Sequence, residues 1–504
     1  MPPASTSAHP TRAARLARLR GLHQYYRDAL SSNFAFPDLG DVPRELVEWV
    51  VRTDNVDTLQ LAELLHQIPN TMLPAEHDRA LRLMLFAILQ ANACTDTNNR
   101  YLDRIVPERL ADSVRGALGR ILGLHRCYEY FVDAVQLLYR MNLLEDVDAF
   151  MADHPDLFAG DATLRAMAGF IETGCGDYAA GLAHLDPLVA GPGRDGMPLV
   201  AALSHMTCAY RLGALPDWPL RFDALEAGPD RFARELALLP QLRMLQPLPE
   251  GAGPVVFVAC DDCYFEEHAR HLACSLHAAN GNPPALHLHL YSPGAATLAG
   301  IDALRARLPG LAIGVSVEDG PLPVAHAPTY YATARFVRAH QVLERYRRDL
   351  CIVDADALFH RPWERLAQLA GAAAEVVLAA PGVAPFWEEV LAGFVWCRAT
   401  PLGREFLGKT AAFILSNLVE GRAIWFTDQV ALSVCADRLH AHGEALRRLD
   451  SALLVDMAHG EEALCWAVTT QKTGHPRYDA ARQALARRYR LERGDRGDRG
   501  DRDD

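Results

Sequence analysis

Two carboxylates, Asp354 and Asp356, interrupt the run "CIVDADALFH" (351–360). The residues before them are apolar and read as a buried strand, so the pair falls at a strand's carboxyl end, where open α/β sheets bind ligands. In extended chain, residues two apart point to one face, and two like charges there repel each other. A divalent cation or a donor-rich ligand between them and solvent removes that repulsion. Hard oxygen donors suit Mg²⁺ or Mn²⁺, which also bind phosphates. The spacing therefore predicts a metal–diphosphate site; the plainer alternative is that both aspartates cap turns. Asp146-x-Asp148, inside a predicted helix, and Asp501-x-Asp503, in a charged tail, lack that preceding strand.

The elements that must position the pair alternate. "VVFVAC" (255–260), "ALHLHLYS" (285–292), "LAIGVSVE" (311–318), "DLCIVDAD" (349–356), "AEVVLAA" (374–380) and "AGFVWCRA" (392–399) read as strands. Helical patterns separate the first four, at 266–279, about 295–307 and 333–346. This alternation predicts an α/β layer structure with a mostly parallel sheet. Before it, residues 12–245 read as helix after helix, including "LRLMLFAILQAN" (81–92), "YEYFVDAVQLLYRMNLL" (128–144) and "LVAALSHMTCAYRLG" (199–213). "GDYAAGLAHL" (176–185) resembles the turn and second helix of a tetratricopeptide repeat (TPR), with Gly181 where that repeat usually has Ala and no clean 34-residue period. A plain helical bundle is the alternative. The expected organisation is a leader at 1–11, an all-α, TPR-like domain at 12–245, a linker at 246–253, an α/β domain at 254–480, and a basic helix end with a charged, disordered tail at 481–504.

A length of 504 residues fits two or three domains, and half the residues are hydrophobic. The net charge of −13 argues against a dedicated nucleic-acid binder. Eleven cysteines, scattered and odd in number, do not form a disulfide framework, which points to a reducing cytoplasm. No apolar run approaches the roughly 20 residues of a membrane span, and the start lacks a signal core.

Other constellations carry less. Cys260-x-x-Cys263 has no second ligand pair for zinc. His287 and His289 share a strand face with His277 nearby; a half-exposed strand face is expected over a metal pair. Residues 403–410, "GREFLGKT", match the letters of the phosphate-binding GxxxxGK[ST]; no dinucleotide-binding GxGxxG follows the first strand, and no GxSxG nucleophile elbow occurs.

Four stretches, in order, resemble a GT-A nucleotide-sugar glycosyltransferase domain of the glycogenin-like, nucleotide-diphospho-sugar transferase kind. They are "VVFVACDDCYFEEHARHLACSL", "YYATARFVRAHQVLERY", "CIVDADALFHRPWE" and "FWEEVLAGFVWCRATPLGREFL" with "WFTDQVAL" after it. They span Val255 to about Tyr478, a little under half of the chain.

The resemblance implies roles for particular positions. Asp261, Asp262 and Tyr264 would hold the nucleotide base. Arg335 and Arg338, a turn or two along from Tyr331, would face the diphosphate. Asp354 would lie near the ribose and a metal-bound water, and Asp356 would ligate Mn²⁺ or Mg²⁺ directly. Gly393 would let the backbone approach the sugar. Asp428 and Gln429 would touch the donor sugar or the acceptor. His475 would be a late metal ligand and Lys472 a phosphate partner. Where such families often have Asn two residues before the glycine, this chain has Leu391.

The expected function is metal-dependent sugar transfer from a nucleotide donor, a UDP-sugar first, to a protein or glycan acceptor recognised by the helical domain. If the reaction inverts the sugar centre, a carboxylate must take the acceptor's proton, with Asp428 the first candidate and Glu388 the second. The rivals are an inactive scaffold of the same fold and a sugar nucleotidyltransferase; "ACDDCYF" lacks the Gly-rich loop of the latter.

Overall fold

The computed structural model describes residues 10–22, 87, 108–124, 128–141, 143–191, 194–251, 253–322, 324, 326–468 and 475–491. The expected helix at 81–92, the leader to residue 9, Lys472 and the charged tail from residue 492 lie largely or wholly outside them. The chain divides into two compact units, one mainly Pro3–Ala214, the other Leu215–Gly382 with Phe386–Asp504.

In the first unit the described elements are helices: α1 (Arg12–Gly21), α2 (Glu108–Leu124), α3 (Tyr128–Arg140), α4 (Leu144–Asp153), α5 (Pro155–Gly160), α6 (Ala162–Cys175), α7 (Tyr178–Val189) and α8 (Leu199–Arg211). The "GCGDY" turn shows how sequence sets the α6–α7 hairpin. Gly176 ends α6 in the left-handed region (φ 81°), where glycine carries no Cβ penalty. Asp177 then caps α7 by accepting from Ala180 N at 3.1 Å. The helices approach closely through two glycines: a Cβ on Gly181 would lie 2.8 Å from Cys208 Sγ, and one on Gly169 2.3 Å from Leu185 Cγ. Arg15 of α1 ties that helix to Glu172 of α6 and to Asp148 of α4.

The second unit begins earlier than the expected linker at 246–253, because residues from 215 onward pack on the α/β layers. Arg221 N donates to Asn417 Oδ1 (2.9 Å), and Phe222 meets Phe413 edge-on at 5.3 Å. The linker is itself engaged: Leu248 N donates to Tyr346 Oη at 3.1 Å. After α9 (Pro229–Leu236), a strand β1 (Arg243–Gln246) stands where helix had been expected.

Then follow β2 (Val255–Cys260), a helix α10 (Arg270–Ala279) entered through a π-turn at Phe265–Ala269, β3 (Ala285–Tyr291), α11 (Ala295–Arg307), β4 (Ile313–Glu318), α12 (Ala327–Tyr346) and β5 (Leu350–Val353). Beyond these lie β6 (Leu358–Phe359), α13 (Glu364–Ala370), β7 (Val376–Ala380), β8 (Leu391–Cys397), α14 (Pro401–Val419), α15 (Thr427–Arg438), β9 (Leu446–Asp450), β10 (Val455–Asp456), β11 (Cys465–Trp466) and α16 (Pro476–Tyr489). Among the described residues these strands form an eight-stranded sheet ordered β1-β4-β3-β2-β5-β8-β7-β9 and a small sheet β10-β11-β6. The large sheet is mixed: β2–β3, β3–β4, β2–β5 and β7–β9 are parallel, while β1–β4, β5–β8 and β7–β8 are antiparallel. No described helix is long and apolar enough to cross a membrane.

Strands β3 and β4 are buried on both faces, as parallel strands covered by helices are. This corrects the half-exposed reading of "ALHLHLYS". His287 and His289 are both fully buried, each ring nitrogen 2.9 Å from Ser316 Oγ. Burial pushes the His287 pKa down to about 3, so it sits in the core as a neutral ring. Alternation alone cannot separate a solvent face from a buried polar row that neighbouring strands satisfy.

Gly169→Ala tests the hairpin. Alanine is the better helix former by about 1 kcal/mol, but the clash with Leu185 should outweigh it and lower stability by about 1–3 kcal/mol. Denaturant unfolding followed by helical ellipticity measures this; an unchanged midpoint would mean that α6 and α7 do not pack this closely.

Candidate functional site

The acidic pair does not sit in extended chain. Strand β5 ends at Val353, and Ala357 N donates to Asp354 O at 3.0 Å, closing a turn over 354–357. Asp354 takes the first turn position, where Asp is favoured. The same-face expectation is therefore corrected, because the strand stops one residue too soon. The two side chains differ: that of Asp354 is 38% exposed, whereas Asp356 is 5% exposed. The backbone oxygen of Asp356 accepts from Tyr478 Oη on α16 at 2.6 Å.

Arg335 of α12 organises the site. Its Nη1 donates to Asp354 Oδ1, and its Nη2 reaches Asp428 Oδ2 at 3.3 Å and Ala392 O at 3.2 Å. One guanidinium thus joins the turn after β5, the strand β8 and the start of α15. Gly393 explains how the parts fit: its O accepts from Asp354 N at 3.2 Å, and a Cβ there would lie 2.9 Å from Asp354 Oδ2. The glycine makes room for the carboxylate.

Asp428 is buried at the first turn of α15, with Oδ1 accepting from Gln429 N at 2.9 Å. Burial raises its pKa, and the Arg335 charge opposes the rise. Arg335 Nε is buried without a hydrogen-bond partner among the described residues, and so is Gln429 Oε1 on the residue after Asp428.

A second group lies one turn back along α12. Tyr331 stacks on Tyr291 (ring centroids 4.4 Å apart, 20° between planes), and Tyr291 Oη donates to Tyr331 O at 3.0 Å. Burial first, then the Asp261 charge, raises the Tyr331 pKa. Asp261 Oδ1 accepts from Tyr264 N at 2.9 Å, and Asp262 accepts from Gly294 N at 3.0 Å. Both are engaged in turn chemistry. Tyr264 is 42% exposed.

Two expectations are corrected. Arg338 does not face the acidic pair: it is 1% exposed, with Nε 2.5 Å from Glu318 Oε2 and Nη2 2.6 Å from Pro240 O. Three residues of helix turn it about 60° away from Arg335. Asp354, Asp356 and His475 do not form a three-ligand metal cage, since no group of three His, Cys, Asp or Glu side chains able to hold a metal occurs among the described residues. His475 precedes α16 with its ring 5.4 Å from that of His459. Cys260 is buried and Cys263 exposed, and neither is in a disulfide. Glu388 lies on the short turn Phe386–Glu388, which packs against α15. Lys472 lies outside the described residues. Reading the sequence missed Tyr291 and Tyr478. Tyr291 ends an apolar strand, a signal that was available; Tyr478 is joined to Asp356 across 122 positions, and no local pattern carries that.

No protein-family model matches the chain, and no curated protein does. Solved structures similar to part of it include mouse xyloside xylosyltransferase 1 in its apo form (14% identity, 44% of this chain and 98% of that one, TM-score 0.30). Others are galactosyltransferase LgtC with donor and acceptor sugar analogues (13%, 46% and 96%, 0.33) and the apo bifunctional glycosyltransferase WbbM (14%, 48% and 45%, 0.29). At these scores the likenesses assign no family.

Arg335→Met leaves Asp428 buried without its cation. A carboxylate whose folded pKa lies above its unfolded value loses stability as pH rises from the unfolded value through the folded one. The substitution pushes that pKa higher still. Its destabilisation should therefore be smallest at acid pH, where protonation of Asp428 removes the uncompensated charge, and grow to about 3 kcal/mol by neutral pH. Denaturant melts of both proteins across that range measure it; a pH-independent difference would rule out the Arg335–Asp428 pairing.

Proposed function

We propose that the α/β unit is a glycosyltransferase of the GT-A kind, moving a sugar from a nucleotide-diphospho-sugar, a UDP-sugar first, to an acceptor. One observation carries the reading: a single arginine bridges a half-exposed aspartate after a central parallel strand and a buried aspartate at a helix start, beside an unpaired donor. A sugar hydroxyl would accept from Arg335 Nε, the nitrogen of that guanidinium left without a partner.

The donor set at the turn fits Mg²⁺ or Mn²⁺ in the mode that uses one or two carboxylates and leaves the remaining positions to phosphate oxygens and water. Asp354 and Asp356 would hold the ion. When bound, it would neutralise charge gathering on the departing nucleoside diphosphate.

The rest of the chemistry belongs to the chain. Arg335 holds Asp354 and Asp428 in fixed positions, a preorganised charge arrangement. Tyr331, Asp261, Asp262 and Tyr264 would seat the base and ribose. Gly393 would let the sugar lie close to β8. In an inverting reaction Asp428 would take the acceptor's proton, its basicity strengthened by burial; Glu388 is the second candidate. In a retaining reaction neither acts as base. The helical unit would recognise the acceptor, protein or glycan, on the broad surface that TPR-like hairpins present. A cytoplasmic setting suits the free thiols.

Leu391 favours a second reading, a scaffold that binds nucleotide sugar without transferring it, since an apolar side chain stands where such enzymes often place an amide.

The test is a melting-temperature screen of UDP-, GDP- and dTDP-sugars with and without Mn²⁺, followed by measurement of nucleoside diphosphate release. A donor should raise the melting point only with the ion present. Asp354→Asn and Asp356→Asn should each remove that shift and slow release about 100-fold or more. Binding without release selects the scaffold, pyrophosphate release from a sugar phosphate and a nucleoside triphosphate selects a nucleotidyltransferase, and no shift with any donor would falsify the assignment.

A further inference from the structure

We propose that Glu318 and Arg338 form a positioning pair that fixes the rotational setting of α12, so that Arg335 is delivered between Asp354 and Asp428. The inference rests on the reading of that cluster as the donor site. Helix α12 lies over β2, β3 and β5. Its two arginines splay in different directions: Arg335 towards the turn after β5, and Arg338 towards the end of β4, where Glu318 is the last strand residue. Arg338 and Glu318 are 1% and 2% exposed. Every donor nitrogen of Arg338 is engaged: Nε and Nη2 on Glu318 Oε2 at 2.5 Å, Nη2 also on Pro240 O, and Nη1 on Gln341 Oε1 at 2.9 Å. A second polar anchor ends the helix, with Tyr346 Oη 3.1 Å from His287 Nδ1.

Elsewhere α12 meets α14 through Arg404, which donates to Glu344 Oε1 and Oε2 at 2.7 and 2.9 Å, and it packs on the sheet through the apolar Ala334, Phe336, Val337, Ala339, Val342 and Leu343. Such burial is non-directional; it holds a helix on a sheet without choosing its rotation sharply. One residue of helical slip turns Arg335 by about 100°, which breaks both of its ion pairs. A buried ion pair adds little net stability over an apolar isostere, and register is its best-attested use. Arg338 and Glu318 touch neither Asp354 nor Asp428 and act through Arg335.

The experiment compares crystal structures of full-length wild type, Arg338→Met and Glu318→Gln. In both variants the Arg335 guanidinium should leave Asp354, Asp428 or both; a guanidinium still bonded to both carboxylates overturns the proposal. Glu318→Gln is nearly isosteric and carries the test if Arg338→Met does not fold. The kinetic arm uses UDP-glucose with Mn²⁺ and reads UDP release. Both variants should lose about 10- to 100-fold in kcat with little change in KM, since misplacement by about 1 Å costs that much. Arg338→Lys should recover part of the loss. In an Arg335→Met background the second substitution should cost nothing further; a full additive loss there overturns the proposal. A wild type that turns over no nucleotide sugar counts against the proposed function alone, because the crystallographic comparison still decides the positioning.

Discussion

The site depends on one arginine shared by two carboxylates. Asp428 is buried at the start of α15, and a carboxylate in that setting is costly without a cation. Arg335 supplies the cation and at the same time fastens the turn after β5 to strand β8. The three chain segments that meet there are far apart in sequence, at positions 335, 354 and 428. Removing the guanidinium would leave Asp428 buried without a cation and the turn after β5 without its tie to α12.

Much of the α/β layer was legible in the residues. Strand β2 and helix α11 fall at their expected bounds, because short apolar runs between turn signals admit few other readings in an alternating pattern. The acidic turn, Arg335, Gly393 and Asp428 were singled out from sequence and lie together. What stayed hidden was long-range pairing. Arg338 and Arg335 look alike on a helix wheel, and only the position of Glu318 at the end of β4 decides which of them is a strut. The antiparallel course of β8 between β5 and β7 leaves no local mark either. The unit boundary was misplaced for a related reason: residues 215–240 are mostly helical in pattern, so composition assigns them to the helices before, whereas Arg221 and Phe222 bind α14.

The polar core under α12 shows how one fold can bury charge without forfeiting order. His287, Ser316, His289, Glu318 and Arg338 run through strands and helix with almost no exposure. Apolar replacements would pack there, but would leave the helix free to choose among rotations of similar energy. Specificity of this kind is seen in the direction a side chain points more than in stability.

Tyr478 closes the acidic turn from a position 122 residues downstream of Asp356. During synthesis the helical unit and the whole large sheet leave the ribosome before α16 exists. A nascent chain therefore carries Asp354 and Asp356 on a turn that lacks its buttress until α16 has been made.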